Sequence, residues 1–302
     1  MTEVLDVRDL YKSYGRLNAV DHINFNVKSG AVFGILGPNG SGKTTTLGMI
    51  LGVIHKTSGS FDWFGQGESH QNRKRVGAIL EHPIFYPRLS AIQNLKITAR
   101  IKEVDQPRFE ELLTTVGLWG RHNDSFKTYS LGMKQRLAIA SAMLANPDVL
   151  IFDEPTNGLD PQGIADIRDI ILDIASQDKT IILASHLLDE VQKVCTDFMV
   201  LRKGKKIHQG TVQALIDKEH KIEVGAVNSD QLRHALVGRS DLTIEQEENG
   251  IFTVVPDDKS SDTANINGWL IEKGVVVNHL RSMGSNLEQE FLNILRDHEP
   301  TT

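Results

Sequence analysis

From residue 1 to about 215, short runs of mostly apolar residues alternate with longer stretches in which apolar residues recur every three or four positions. A run of four or five apolar residues predicts a strand that is buried on both faces of a sheet. The clearest such runs are residues 32–36, 149–152, 181–184 and 198–201. Because strands and helices alternate, we predict an α/β fold with a mostly parallel core sheet flanked by helices.

Residues 90–146 contain helical patterns and no strong strand, which predicts a helical subdomain inserted in the sheet. Ser90 and Ser130 are placed to cap two of its helices, because a serine hydroxyl accepts a hydrogen bond from the first turn. Pro107 is predicted to begin a third helix, since its fixed φ suits the first helical position. The sheet and this insertion together form a predicted first domain, residues 1–215.

After the first domain the pattern changes to shorter elements. The predicted elements are strands at 221–227, 242–246, 251–255 and 275–280, and helices at 231–237 and 263–273. Asn249 and Gly250 separate the second and third strands and supply the positive φ angles of a tight hairpin. The β-α-β-β-α-β order is typical of a small ferredoxin-like α+β domain, which we place at 221–302. A final amphipathic helix is predicted from Ser285.

Composition and charge narrow the classes of partner. The 302 residues are 40% hydrophobic and 24% charged, which is ordinary for a globular protein. A net charge of -6 argues against a general nucleic-acid binder, because such proteins carry a basic excess. The single cysteine, Cys195, excludes an intrachain disulfide framework and is expected to be a small buried side chain. With neither a signal-peptide pattern nor an apolar run long enough to span a bilayer, any membrane role is expected to depend on a partner.

The strongest local motif, GPNGSGKT at residues 37–44, fits the phosphate loop G-x-x-x-x-G-K-[ST] and follows a predicted strand. Glycines let backbone N–H groups approach a phosphate, and a helix beginning near Lys43 adds the positive end of its dipole. Lys43 is predicted to meet the β and γ phosphates, Thr44 to bind Mg²⁺ and Thr45 to reach the α phosphate. The predicted ATP contacts in this segment are Gly37, Asn39, Gly40, Ser41, Gly42, Lys43, Thr44 and Thr45.

A second motif closes the predicted strand at 149–152 with two carboxylates, Asp153 and Glu154. Ligands gather at the carboxyl edge of a parallel sheet, so these acids are expected beside the phosphate loop. Asp153 is predicted to hold Mg²⁺ through water, and Glu154 to orient or deprotonate the attacking water. An acidic pair after a strand is often only the start of a loop, but together with the phosphate loop it predicts a P-loop nucleotide hydrolase that uses ATP and Mg²⁺.

A third motif, YSLGMKQR at residues 129–136, narrows the family. It resembles the signature sequence of the ABC ATPases, which is usually closer to LSGGQ and lies between the helical insertion and the acidic strand. The motif keeps Ser130 and Gly132 and departs from the usual form at Tyr129, Leu131 and Met133. As the N-cap of a helix, Ser130 would direct its hydroxyl, the backbone N–H groups and the helix dipole toward an anion.

The resemblance to ABC ATPases covers roughly residues 1–215 and implies roles for three further residues. Asp160 resembles a residue of the family's D-loop, and His186 resembles its switch histidine. Tyr14 resembles the aromatic residue that stacks on adenine. The family clamps two ATP molecules between two copies, so the resemblance implies a homodimer in which His186 holds the γ phosphate and Asp160 reports across the interface.

Glu81 departs from the family pattern, because glutamine is usual in the loop that links the sheet to the helical insertion. The usual residue touches Mg²⁺ or the attacking water and faces the groove that receives the membrane subunit. Glutamate binds hard cations more strongly, but it adds a negative charge beside the γ phosphate. We therefore interpret Glu81 as a metal contact that alters coupling without abolishing hydrolysis. Glutamate at this position resembles the ATPases of the bacitracin-resistance and lantibiotic-immunity group.

This resemblance implies the ATP-hydrolysing subunit of an exporter, which acts with a separate integral-membrane permease on a peptide antibiotic or a similar amphipathic compound. It also implies a cytoplasmic location at the inner face of the membrane, through the permease, and no nucleic-acid partner. An importer ATPase is an alternative, and so is a soluble ABC ATPase that acts on ribosomes or DNA. Against the soluble class, the sequence lacks both a second cassette and a long coiled coil. A third alternative is a mainly regulatory chain, in which residues 221–302 sense a ligand.

Overall fold

The computed structural model describes residues 2–80, 83–217, 221–257 and 263–283. These residues form two compact units, of which the first extends to Gly210 and the second begins at Thr211. Each unit has its own hydrophobic core. Within the described ranges, no helix has both the length and the apolar character that crossing a membrane requires.

The first unit alternates strands and helices, as the sequence predicts. Its strands are β1 (Glu3–Tyr14), β2 (Leu17–Lys28), β3 (Val32–Leu36), β4 (Ser58–Trp63), β5 (Val76–Ile79), β6 (Val149–Asp153), β7 (Thr180–Ser185), β8 (Asp197–Arg202) and β9 (Lys205–Thr211). Its helices are α1 (Lys43–Ile50), α2 (His70–Lys74), α3 (Ala91–Ile101), α4 (Phe109–Thr115), α5 (Leu131–Met143), α6 (Pro161–Ala175) and α7 (Leu188–Val194). The four buried strands predicted from apolar runs are β3, β6, β7 and β8, and all four are confirmed.

A six-stranded sheet forms the centre of the first unit, with the strand order β5-β6-β7-β3-β8-β9. The first five strands in this order pair in parallel. Every residue of β3, β6 and β7 is buried, as expected for parallel strands that are covered on both faces. Cys195 is also buried, and burial raises the pKa of its thiol and keeps it protonated. Because β3 and β6 are parallel, the phosphate loop and the acidic pair follow the same edge of the sheet.

A second, antiparallel sheet has the strand order β2-β1-β4 and shares its core with the central sheet. Phe25 of β2 stacks on Phe33 of β3, with 5.8 Å between the ring centroids. Trp63 of β4 donates its indole N–H to Ile50 O at the end of α1, at 2.9 Å. The apolar pattern does not predict this sheet, because register shifts in β1 and β2 interrupt the alternation of apolar and polar residues.

The insertion between β5 and β6 is helical, as predicted, and contains α3, α4 and α5. Ser90 caps α3 in a capping box, and Ser130 caps α5. The predicted helix start at Pro107 is wrong, because α4 begins at Phe109. Arg108 precedes α4 with a ψ of 62°, which is not helical, so the proline lies outside the helix.

The second unit is a β-α-β-β-α-β arrangement preceded by one helix. Its elements are α8 (Val212–Asp217), β10 (Lys221–Ala226), α9 (Ser229–Val237), β11 (Leu242–Glu248), β12 (Ile251–Pro256), α10 (Thr263–Glu272) and β13 (Val277–Met283). The strands pair antiparallel in the order β11-β12-β10-β13, so the predicted ferredoxin-like fold is confirmed. Asn249 and Gly250 have φ angles of 53° and 77°, as the predicted hairpin requires. The final helix predicted from Ser285 lies outside the described residues.

Candidate functional site

The phosphate loop connects the carboxyl end of β3 to α1, which begins at Lys43. Gly42 occupies the N-cap of α1 with a φ of 106°, a conformation that other residues rarely adopt. A Cβ at Gly42 would lie 2.5 Å from Ala19 O, and a Cβ at Gly37 would lie 2.3 Å from Leu201 O. The packing of the loop therefore requires glycine at both positions.

The side chains of the phosphate loop form a polar cradle. Lys43 is 5% exposed, and its Nζ donates to Gly37 O at 2.7 Å and to Pro38 O at 3.3 Å. Ser41 Oγ is buried and has no hydrogen-bond partner among the described residues. A buried ammonium group, a buried hydroxyl group and the N terminus of α1 together fit the phosphates of ATP.

Glu154 links the phosphate loop to the end of β7. Its Oε1 lies 3.2 Å from Lys43 Nζ, and its Oε2 lies 2.8 Å from His186 Nδ1. The Glu154 side chain is only 17% exposed, so water and salt screen this ion pair weakly. Glu154 also has a φ of 49°, and its backbone N–H donates to Ala184 O at 3.0 Å. Left-handed backbone away from glycine is enriched at functional sites, and here it accompanies a contact between three residues that are distant in sequence.

Asp153 is the last residue of β6 and is 1% exposed, while Thr44 lies in the first turn of α1. In the part of the chain that the structure describes, no three His, Cys, Asp or Glu side chains form a metal site. Mg²⁺ at nucleotide sites keeps several waters and takes phosphate oxygens as ligands, so one hydroxyl and one carboxylate suffice from the protein. Glu81, the third predicted metal contact, lies outside the described residues.

A cavity of about 530 Å³ opens beside the phosphate loop. It is lined by Tyr14, Leu17, Asn18, Ala19, Asn39, Gly40, Gly42, Lys43, Thr44, Thr45, Glu154 and Lys203. Tyr14 is half-exposed and Leu17 is exposed, and their apolar surfaces suit a nucleotide base. The volume is typical of a small-molecule site. The structure thus places the predicted adenine contact, most of the phosphate loop and the predicted general base along one cavity.

Four lining residues are not identified by any sequence motif. They are Leu17, Asn18, Ala19 and Lys203. The first three begin β2, and the fourth lies in the turn between β8 and β9. Only tertiary packing brings this turn to the phosphate loop, where Gly204 N–H donates to Ser41 O at 3.0 Å. The start of β2 could have been predicted to lie at the site, because only a short connection separates it from Tyr14, the predicted adenine contact at the end of β1.

The remaining predicted ATP contacts lie at the start of two other helices. Ser130 Oγ accepts a hydrogen bond from Met133 N at 3.3 Å at the start of α5, and Gly132 lies in the first turn of that helix. Asp160 Oδ1 accepts one from Gly163 N at 2.9 Å at the start of α6. Neither the serine, the glycine nor the aspartate lines the cavity beside the phosphate loop. Within one chain, these three predicted ATP contacts are therefore not part of the cavity beside the phosphate loop.

The parallel sheet, the phosphate loop and the acidic pair define a P-loop nucleotide hydrolase. The family model for the ABC transporter matches residues 20–157. The chain is 36% identical over 304 residues to the bacitracin transport ATP-binding protein BcrA of Bacillus licheniformis, and the match covers 98% of each chain. The chain belongs to the ABC transporter family, as an ATP-binding subunit that hydrolyses ATP to power transport.

Two further comparisons agree with this assignment. The chain is 39% identical over 204 residues to the lantibiotic transport ATP-binding protein SrtF of Streptococcus pyogenes. That match covers 68% of this chain and 89% of SrtF. The structure of cbiO1 from Clostridium perfringens, part of the ABC transporter complex cbiONQ, matches with a TM-score of 0.64 and 28% identity. That match covers 71% of this chain and 91% of cbiO1. The predicted family, ABC ATPase fold and ATPase activity are confirmed.

Proposed function

We propose that this subunit drives export of a peptide antibiotic, or of a similar amphipathic compound, through a separate integral-membrane permease. The observation that carries the proposal is the similarity to the bacitracin transport protein, which extends over 98% of the chain and so includes the second unit. Similarity to a lantibiotic transport protein supports the same chemical class of cargo. In this proposal the subunit lies in the cytoplasm, at the inner face of the membrane, where the permease holds it.

The contacts around the phosphate loop support hydrolysis of ATP with Mg²⁺. We infer that Lys43 binds the β and γ phosphates and that Glu154 takes a proton from the attacking water. His186 orients the Glu154 carboxylate through their hydrogen bond and contacts the γ phosphate. Thr44 and Asp153 would hold Mg²⁺, which when bound supplies positive charge to the phosphates.

The reaction is proposed to need two copies of the chain. Ser130 and Gly132 do not line the cavity beside the phosphate loop of their own chain. At the start of α5 they could nevertheless offer a hydroxyl, backbone N–H groups and the positive end of a helix to an anion. A head-to-tail homodimer would place this helix end against the γ phosphate bound by the other copy, with Asp160 at the interface.

Replacing Ser130 with alanine tests the second half of this site. The N-cap bond of α5 is lost, which should lower the free energy of unfolding by about 1 kcal/mol. ATP binding to the single chain should be unchanged, whereas the hydrolysis rate should fall by at least about 10-fold, because a hydrogen-bond donor to the γ phosphate is removed. Phosphate release and thermal unfolding of the purified protein measure the two effects.

Ser90→Ala is the matched control, because Ser90 also caps a helix of the insertion and accepts a bond from Gln93 N at 3.3 Å. It should cost similar stability without the loss of hydrolysis. Equal hydrolysis rates in Ser130→Ala and Ser90→Ala would refute the proposed role of Ser130.

A solvent-exposed apolar segment next to the helical insertion supports a protein partner. Ile84 is 92% exposed and Tyr86 is 59% exposed. The backbone at Tyr86 is nevertheless fixed to α3 by two hydrogen bonds. The Asn94 side chain accepts one from Tyr86 N at 2.8 Å and donates one to Tyr86 O at 3.2 Å. Phe85 anchors the segment against Phe126, with ring centroids 5.1 Å apart. Rigid backbone that presents apolar side chains to water is typical of a binding surface, and we assign the permease to it.

The double substitution Ile84→Ser and Tyr86→Ser tests both the permease and the direction of transport. The purified variant should still bind and hydrolyse ATP, since neither side chain lines the nucleotide cavity. A tagged wild-type chain should copurify with a multispanning protein from detergent-solubilised membranes of its own cells, and the variant should not. Cells that carry the variant should also become several-fold more sensitive to bacitracin or a lantibiotic.

Val237→Ser serves as the control, because Val237 is 73% exposed and belongs to the second unit. Copurification with ribosomes in place of a membrane protein would contradict the transporter proposal. Unchanged sensitivity to peptide antibiotics, with loss of the membrane partner, would contradict only the proposed export of such compounds.

A further inference from the structure

The turn between β8 and β9 is hydrogen-bonded to the phosphate loop and to β2. Gly204 donates its N–H to Ser41 O at 3.0 Å, and its carbonyl oxygen accepts from Asp21 N at 2.8 Å. A Cβ at Gly204 would lie 2.8 Å from Asn18 O, so the turn has no room to move closer to β2. These contacts fix the position of Lys203, the neighbouring turn residue, whose φ is 47°.

Lys203 lines the same cavity as the phosphate loop, and its side chain is exposed. Its charge has no ion-pair or hydrogen-bond partner among the described residues. Two neighbouring lysines are engaged, because Lys43 Nζ lies 3.2 Å from Glu154 Oε1 and Lys205 Nζ lies 3.6 Å from Asp21 Oδ2. An uncommitted ammonium group beside a phosphate-binding loop is therefore available to an anionic ligand.

We propose that Lys203 binds the phosphate chain of the nucleotide together with the phosphate loop's own lysine. Lysine suits this role as a mobile point charge on a long side chain. The Lys43 charge is already balanced in part by Glu154, so a second cation adds a favourable interaction for a polyanionic ligand. Lys203 then adds affinity for ATP and ADP alike, and it contributes nothing to binding of uncharged adenosine. This inference rests on ATP binding and is independent of what is transported.

The test is equilibrium binding of ATP, ADP and adenosine to the full-length protein at low ionic strength. Lys203→Ala should weaken binding of ATP and ADP by about 5-fold, and Lys203→Glu should weaken it further, whereas adenosine should bind as it does to wild type. Lys203→Arg should restore most of the affinity for ATP, because it keeps the charge. The difference between wild type and Lys203→Ala should diminish as salt is raised.

Lys205→Ala is the control, because Lys205 lies on the same hairpin but does not line the cavity. It should bind all three ligands as wild type does. Thermal unfolding of each variant reports whether the hairpin is intact. Equal ATP affinity in Lys203→Ala and wild type would overturn the proposal. An equal loss of affinity for ATP and adenosine would overturn it as well, because the residue would then support the base and not the phosphates.

Discussion

Replacing Glu154 with glutamine is expected to lower the rate of ATP hydrolysis by about 10³-fold while ATP binding is retained. The amide has nearly the shape of the carboxylate, so it can still lie beside Lys43 and contact His186. It cannot take a proton from water, which is the step that we assign to the carboxylate. The left-handed backbone at Glu154 is unaffected by the change, so the local structure should persist.

Steady-state phosphate release and fluorescent ATP binding measure the two quantities. Glu111→Gln is a suitable control, because Glu111 is a surface carboxylate of α4 that pairs only with Arg108 among the described residues. Turnover of Glu154→Gln within a few-fold of the control would show that another group, or water alone, accepts the proton.

Replacing Lys43 with alanine is expected to weaken ATP binding by about 10²-fold or more, because a buried charge that the phosphates require is removed. The same change deletes the hydrogen bonds from Lys43 Nζ to Gly37 O and Pro38 O that hold the loop closed. It also leaves the Glu154 carboxylate largely buried without its cation, which should lower the free energy of unfolding.

Titration of ATP into the purified variant measures the loss of affinity, and thermal unfolding measures the loss of stability. Lys193→Ala is the control, since Lys193 forms an exposed pair with Asp189 outside the nucleotide cavity. If Lys43→Ala were folded and bound ATP as tightly as the control, the phosphate loop would not be the nucleotide site.

Much of the fold and of the candidate site is encoded by short segments, which is why the sequence predicts it. The phosphate loop needs only a strand, glycines and a helix start, and the structure has β3, Gly42 and α1 in that order. The carboxyl end of a parallel strand likewise places Asp153 and Glu154 at the edge where ligands gather. The helix caps at Ser90 and Ser130 depend on a single turn and were predictable for the same reason.

The elements that escaped prediction depend on contacts between distant segments. Asp9 and His22 have positive φ angles of 50° and 52°, which place irregularities in β1 and β2 that no apolar pattern reveals. Lys203 reaches the nucleotide cavity because Gly204 is bonded to the phosphate loop, more than a hundred residues away in the chain. A sequence motif predicts only local geometry, whereas the irregularities in β1 and β2 and the position of Lys203 depend on tertiary packing.

The contact between Glu154 and Lys43 has a consequence for the order of events during turnover. The Glu154 carboxylate and the phosphates of ATP would compete for the Lys43 ammonium group. The phosphates carry more negative charge and would bind it more strongly. Binding of ATP would thus free the carboxylate that takes the proton from the attacking water. Activation of the proton acceptor and binding of the nucleotide would then occur in one exchange of partners at Lys43. Release of phosphate after cleavage would reverse this exchange. The Glu154 carboxylate would pair with Lys43 again and so favour release of ADP.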